Sequence, residues 1–229
     1  MKNIIGDKPN LPLHGRLLEA VSFVDKKDIY NKRVLDIGCG YGWYEVDALK
    51  KNPKKIYATE ISAEDLSTIK TNLKNSKITY GIASAIDLPF KKNSIDTVVS
   101  WEVIEHIPEN SEATMFTEVS SVLKKNGAFY LSTPNRHILS ILFDPGWWLI
   151  NHRHYSSSQL INFGKKNNLK LEKIQIKGGK WELIGLLLMY FSKWVLRRKT
   201  LLVKALNKRL DKEYGSNGFM TIFIKYKKV

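Results

Sequence analysis

The run Val34-Leu35-Asp36-Ile37-Gly38-Cys39-Gly40-Tyr41-Gly42 carries a short β-rich stretch, Arg33 to Ile37, straight into three alternating glycines and then into a segment of helical character, Trp43 to Lys51. A strand, a glycine turn and a helix in immediate succession open a βαβ unit. Gly38 and Gly40 let the backbone approach a ligand without Cβ clashes, and the start of the following helix offers unpaired N–H groups.

The rest of the chain continues that pattern. Apolar runs recur at Lys55 to Thr59, Ile78 to Ile82, Ile95 to Ser100, Ala128 to Ser132, Leu169 to Ile176 and Phe219 to Tyr226, most of them separated by stretches long enough for a helix. With Arg33 to Ile37 they predict seven strands. Alternating strands and helices pair in parallel through right-handed crossovers, which cover both faces of an open sheet. The expected fold is α/β, a Rossmann-like seven-stranded mostly parallel sheet with helices on both faces and a helical insertion between the last two strands. Leu17, Leu18, Val21 and Val24 predict a further helix within Leu13 to Lys27. A length of 229 residues suits one domain over 1–229, with a ligand-binding core at 30–135, a lid at 136–160 and the insertion at 177–217.

The spacing G-x-G-x-G differs from the G-x-G-x-x-G of dinucleotide binders, and Asp36, just ahead of the loop, would repel a pyrophosphate. A cationic ligand is favoured. S-adenosylmethionine, with an ammonium, a sulfonium and no phosphate, is compatible with a carboxylate there. Glu60 ends the second strand about twenty residues beyond the loop, the distance at which an acid hydrogen-bonds both ribose hydroxyls. Its alternative role is at the start of a helix near Ser62, with Asp65 at capping-box distance.

Four stretches then carry a specific resemblance: VLDIGCGYGWY (34–44), YATEIS (57–62), ASAIDLPFKKNSIDTVVSWEVIEHI (83–107) and LKKNGAFYLSTPN (123–135). Over about residues 30–135 the chain resembles the class I S-adenosylmethionine-dependent methyltransferases. The resemblance implies that Asp36, Gly38, Cys39, Gly40 and Tyr41 hold the methionyl end of the cofactor and that Glu60 holds its ribose. Ile61, Ser84, Ala85 and Trp101 complete the implied cofactor-binding set, with S-adenosylhomocysteine as product. Where the family's third motif carries an Asp toward the adenine amino group this chain has Ser84, a weaker acceptor, and Asp87 is displaced by three positions.

Trp101 to Ile107 leaves the fourth strand at its C-terminal end, where open α/β sheets place their sites. Within it, Glu102-Val103-Ile104-Glu105-His106 is similar to a segment of the ubiquinone-biosynthesis O-methyltransferases, whose two acids and histidine are associated with a divalent metal. The same residues read equally as loop structure, with His106 fixing the loop and Glu105 starting a helix; that reading is preferred, and no metal ligand is assigned. Methyl transfer needs alignment and removal of one proton. The candidate bases are His106, His152 and His154, the last two in the cluster that follows the apolar lid segment Ile138 to Ile150.

The segment Trp181 to Arg198 is too apolar for a free surface helix and shorter than a membrane span. Trp181, Tyr190 and Trp194, followed by Arg197, Arg198 and Lys199, match a helix lying in a headgroup region, with a basic helix Leu201 to Asp211 beyond it; packing over the sheet edge is the alternative. A net charge of +15 favours an anionic partner. Cys39 is the sole cysteine, MKNIIGDKPNLPLHGR holds no signal-like apolar run, and a cytoplasmic protein, peripheral at the membrane, is expected. The expected acceptor is an apolar or lipid-linked small molecule, quinone-like or glycan-type. RNA or protein is a second candidate, disfavoured for nucleic acid by the missing aromatic platform, and a non-catalytic cofactor-binding homologue is a third.

Overall fold

The computed structural model describes residues 11–195, 197 and 203–229. One sheet holds β1 (Arg33–Ile37), β2 (Lys55–Glu60), β3 (Ile78–Ile82), β4 (Ile95–Trp101), β5 (Leu123–Pro134), β6 (Leu169–Lys177) and β7 (Thr221–Lys228), in the order β3-β2-β1-β4-β5-β7-β6. The pairs from β3 to β5 are parallel, and β7 runs antiparallel between β5 and β6. Strand order reverses between β1 and β4, and the crevice beyond their C-terminal ends is where such sheets receive ligands.

Side chains alternate across the sheet, so neighbouring residues of β1 enter different cores. Val34, with Ala58, Val99, Tyr130 and Phe223, packs against α1 (Gly15–Phe23), α2 (Trp43–Lys50) and α3 (Ala63–Asn72) through Phe23, Tyr44, Ala48, Leu66 and Ile69. Leu35, with Val98, Phe129, Leu131 and Ile224, packs against α4 (Glu112–Val122) and α7 (Ser157–Lys166) through Phe116, Val119 and Leu160. Each of the buried Val, Leu, Ile and Phe side chains among them contributes roughly 1.5–3 kcal/mol of transfer free energy.

Local chemistry sets the element ends. Ser62 Oγ accepts from the Asp65 N–H, and Ser156 and Gln159 form a reciprocal capping box at the start of α7. β7 begins at Thr221, later than the apolar run from Phe219, because the N–H groups of Phe219 and Met220 bond instead to the carbonyls of Gly178 and Lys177. The apolar segment after β5 folds into two short helices, α5 (Ile138–Leu142) and α6 (Pro145–Ile150).

The insertion between β6 and β7 comprises α8 (Lys180–Tyr190), one π-helical turn (Phe191–Val195) and α9 (Val203–Tyr214). Of the apolar and basic run expected to extend through Lys199 and on from Leu201, residues Leu196, Arg198, Lys199 and Leu201 lie outside the described residues. Two acids of α9 fix the insertion, one to the domain and one to its own first helix. Asp211 accepts from the Gly15 N–H at 2.8 Å and lies 2.7 Å from His14 Nδ1, capping α1. Glu213 accepts from the N–H groups of Gly179, Trp181 and Glu182 at 2.8–3.0 Å, capping α8. Trp181 stacks under the Arg209 guanidinium, 4.0 Å from its ring centroid, and so packs within the insertion. Among the described residues no helix is long and apolar enough to cross a membrane.

Candidate active site

The glycine loop sits at the C-terminal ends of β1 and β2. The Gly38 and Cys39 N–H groups donate to the Thr59 carbonyl at 2.9 and 3.0 Å, which locks the loop onto β2. Gly38 has φ +76°, and a Cβ there would lie 2.5 Å from Val103 Cγ2. Gly40 has φ +56° but opens onto free space, with no atom within 4 Å of a Cβ position. Its N–H donates to Glu60 Oε1 at 2.6 Å, and Glu60 Oε2 accepts from the Ile61 N–H at 3.3 Å. Glu60 therefore stands half-buried between the loop and Ile61, whose side chain is 69% exposed. Burial raises its carboxyl pKa against those two N–H bonds.

Asp36 is 1% exposed and faces Glu45 of α2, which is 0% exposed. Among the described residues, Asp36 Oδ1 and both Glu45 carboxylate oxygens find no hydrogen-bond partner, nor do the Tyr44 hydroxyl and the Trp101 indole N–H. Trp101 lies in the core against Trp43, Tyr44 and Phe223. The Cys39 thiol is also buried, and burial beside Glu45 and Asp36 raises its pKa, so the loop carbonyl is the group Cys39 can offer a ligand. The Tyr41 carbonyl accepts from Asn72 Nδ2 at 3.2 Å. Beyond β3, the Ala83 N–H donates to the Glu60 carbonyl at 2.9 Å, and the Asp87 N–H closes a turn onto the Ser84 carbonyl at 3.0 Å. Ser84 is half-buried in that turn, Ala85 is buried and Asp87 is exposed. An orphaned acidic oxygen, an open glycine and a second acid across the loop fit a ligand with an ammonium at one end and a diol further along, as S-adenosylmethionine has.

Across the crevice, Glu102 follows β4 with φ +56°, a left-handed conformation uncommon for a residue with a side chain. Its Oε1 accepts from the Ser132 hydroxyl and its Oε2 from Arg16 Nη1, each at 2.7 Å. Arg16 of α1 also lies 4.0 Å from Glu182 of α8. Burial works against its charge, but Glu102 and Glu182 outweigh it and raise its pKa. Burial pushes the Glu182 carboxyl up to about 7, with Arg16 opposing.

Glu105 is 2% exposed, accepts from the Thr133 hydroxyl at 3.0 Å and has its pKa raised by burial and by Glu102. His152 bridges from it, with Nε2 3.7 Å from Glu105 Oε1 and Nδ1 2.7 Å from Asp144 Oδ2. Burial opposes a charge on His152, but the two acids overcome it and push its pKa up to about 10, so the ring is an imidazolium near neutral pH. The His106 ring lies at the rim, 4.6 Å from the His152 ring, and burial lowers its pKa despite Glu105. His154 is buried against Trp147 with Nε2 3.5 Å from Asp144 Oδ2, and burial lowers its pKa despite that acid. Glu105, His106 and His152 each offer one ligand atom, all within 4.8 Å of one another. Glu102, sequence neighbour of the first two, is instead turned to Arg16 and Ser132.

Arg16, Glu45, Asp144 and Glu182 join these groups without a sequence motif to mark them. Only Asp144 stands as a lone charge in an apolar stretch, Ile138 to Ile150; the other three have charged neighbours within three positions, so nothing local in the sequence sets them apart.

Residues 35–131 match the family model described as "Methyltransferase domain". The ubiquinone biosynthesis O-methyltransferase of Pelagibacter ubique is 30% identical over 161 residues, covering 65% of this chain and 65% of that protein. A protein of the same name from Xanthomonas oryzae is 28% identical over 134 residues, 57% of this chain and 55% of its own. The chain thus spans between half and just under two thirds of these relatives' length. Among solved structures, an S-adenosylmethionine-dependent methyltransferase from Mesorhizobium loti superposes with a TM-score of 0.65 at 16% identity, over 93% of this chain and 100% of that one. The [4+2]-cyclase SpnF superposes with a TM-score of 0.68 at 14% identity, over 96% and 89%. These two likenesses establish the shared fold, and a cyclase on that fold shows that fold alone leaves the chemistry open.

Proposed function

We propose that this chain, which matches a methyltransferase-domain model over residues 35–131, is a class I S-adenosylmethionine-dependent enzyme that methylates a hydroxyl of an apolar or lipid-linked small molecule brought to it at a membrane surface. When bound, S-adenosylmethionine supplies a methyl group on a sulfonium, and S-adenosylhomocysteine is the product. Asp36 would hold the cofactor's ammonium, Glu60 its ribose hydroxyls and the exposed Ile61 its adenine. His106 would take the proton from the acceptor hydroxyl, and the bound cofactor would supply the methyl group to that oxygen.

The observation that carries the assignment of the base is the contrast within the histidine group. His152 is clasped by two acids and charged, His154 is enclosed, and His106 is at the rim with a lowered pKa and so holds a free lone pair near neutral pH. Glu102 and Glu105 are matched by Arg16 and His152, so the reading routes no step through a metal.

Two features support an apolar acceptor at a bilayer. The lid exposes Ile138, Leu142 and Trp148, the last at 67%, and the insertion exposes Leu187, Phe191 and Val195. Tyr190 at the end of α8 is near enough to Asp144, ahead of α6, and to Arg16 to feel their charges. From Leu183 to Leu210 the chain has no Asp or Glu and seven Lys or Arg, the charge pattern that anionic headgroups attract. An RNA or protein acceptor rests on net charge alone.

The test is transfer of radiolabelled methyl from S-adenosylmethionine into the organic phase of a bacterial lipid extract. The reading expects label in that phase with the wild-type chain and none with His106→Ala. Label confined to RNA or protein would overturn it.

A further inference from the structure

Asp36 and Glu45 are two carboxyls enclosed together without a cation. They come from different elements, β1 and α2, are 1% and 0% exposed, act on each other's charge, and among the described residues leave three oxygens without a partner. The groups that bear on them are Glu60 from β2, Cys39 from the loop, Tyr44 from α2, Tyr80 from β3 and, on the sheet face that Asp36 shares, Trp101 of β4. None is a cation, and among the described residues no Lys, Arg or His forms an ion pair with either acid. Two ionised carboxylates in that setting repel each other at short range with little screening, and one proton shared between them removes the conflict. Burial and this mutual repulsion raise the Asp36 pKa, and burial holds Glu45 up at about 7.

We propose that Asp36 and Glu45 hold one proton between them in the ligand-free protein, and that the proton leaves to solvent when the cofactor's ammonium reaches Asp36. The inference rests on the cofactor reading above and adds Glu45 to it as a positioning residue. Glu45 acts through Asp36: it keeps Asp36 neutral and in place when no ligand is present, and the incoming cation takes over the role of the proton. Cofactor affinity then rises with pH as the proton becomes easier to remove, until the pair is already ionised in the free protein. The device also selects against ligands lacking a cation at this end, because a neutral group offers nothing in exchange for the proton.

Calorimetric titration of the full chain with S-adenosylhomocysteine, at about pH 6.5 in phosphate and again in Tris, counts the protons exchanged, since the two buffers differ in heat of ionisation. The proposal expects release of about one proton per ligand bound, and an affinity that rises severalfold on going to about pH 7.5. In Glu45→Gln the amide donates to an already ionised Asp36, so the ligand should still bind while the released proton and the pH dependence both disappear. Binding by the wild-type chain with the same heat in both buffers would overturn this proposal and leave the cofactor reading standing. Release that persists unchanged in Glu45→Gln would overturn the role of Glu45, pointing to Glu60 as the source. Absence of binding in every buffer would overturn the cofactor reading itself, and this proposal with it.

Discussion

His152 Nδ1 lies 2.7 Å from Asp144 Oδ2, and this contact ties the irregular stretch after α6 back to the residue that caps the start of that helix. The His152 pKa is raised to about 10 and that of Asp144 is lowered, burial opposing both and their pairing winning. A raised histidine contributes stability that is fully present below its unfolded pKa and lost as pH rises through about 10; a depressed aspartate contributes stability present above its unfolded pKa and lost as pH falls. Asp144→Asn should therefore lower the melting temperature at neutral pH, by roughly 1–3 kcal/mol of stability, with the deficit shrinking above about pH 10. Thermal melts of both proteins at the two pH values check this. An equal deficit at both would leave the loss to the capping bond with the Gly146 N–H.

His106→Ala should lower kcat by roughly 10²–10⁴-fold with little change in cofactor KM, the range for loss of a positioned base. His106 acts only when neutral, and burial lowers its pKa, so the wild-type rate should be flat at neutral pH and fall only below the ordinary histidine range. A rate profile from about pH 5 to 8 on the acceptor found above tests it.

The paired variants Gly38→Ala and Gly40→Ala separate structure from binding. At Gly38 an added Cβ meets Val103 at 2.5 Å, so the variant should lose roughly 1–3 kcal/mol of stability. At Gly40 only the left-handed backbone is costly, about 1 kcal/mol, while the methyl group enters the open space where the ligand belongs. Gly40→Ala should thus melt close to the wild type and bind S-adenosylhomocysteine at least tenfold more weakly, by denaturation and titration respectively.

Much of this was legible from order and spacing. Val34 to Gly42 announced a strand, turn and helix, and the face alternation of Val34 and Leu35 follows from pleating alone. Ser62 marked its helix start because capping is a local interaction. What sequence could not reveal are contacts between distant residues. Arg16 reaches Glu102 across 86 positions, and nothing near either one predicts the other. Trp181 read as an interfacial anchor, yet Arg209, brought close only by the fold of the insertion, covers its ring.

Removing metal should have no effect. Glu105, His106 and His152 are close enough to share an ion, but the proton on His152 must leave before that ring can act as a ligand. Methyl transfer after exhaustive chelation, compared with transfer in millimolar magnesium, should agree within about twofold. A rate that collapses on chelation and returns with magnesium would place an ion at this cluster.

Flotation with vesicles containing anionic phospholipid should carry the protein upward, and zwitterionic vesicles should not. The double variant Trp148→Glu, Phe191→Glu removes two exposed apolar side chains, 67% and 50% accessible, and should abolish flotation without changing cofactor affinity. Self-association of the wild type, lost in the same variant, would assign the patch to a second copy of the chain.

The most direct test of the account is titration of S-adenosylhomocysteine into the wild-type chain, Asp36→Ala and Glu60→Ala, with melting curves for each. The account predicts micromolar binding to the wild type and at least a tenfold loss in both variants, all three remaining folded. Equal affinity in all three, or no binding to a folded wild type, would contradict the assignment of this crevice as the cofactor site.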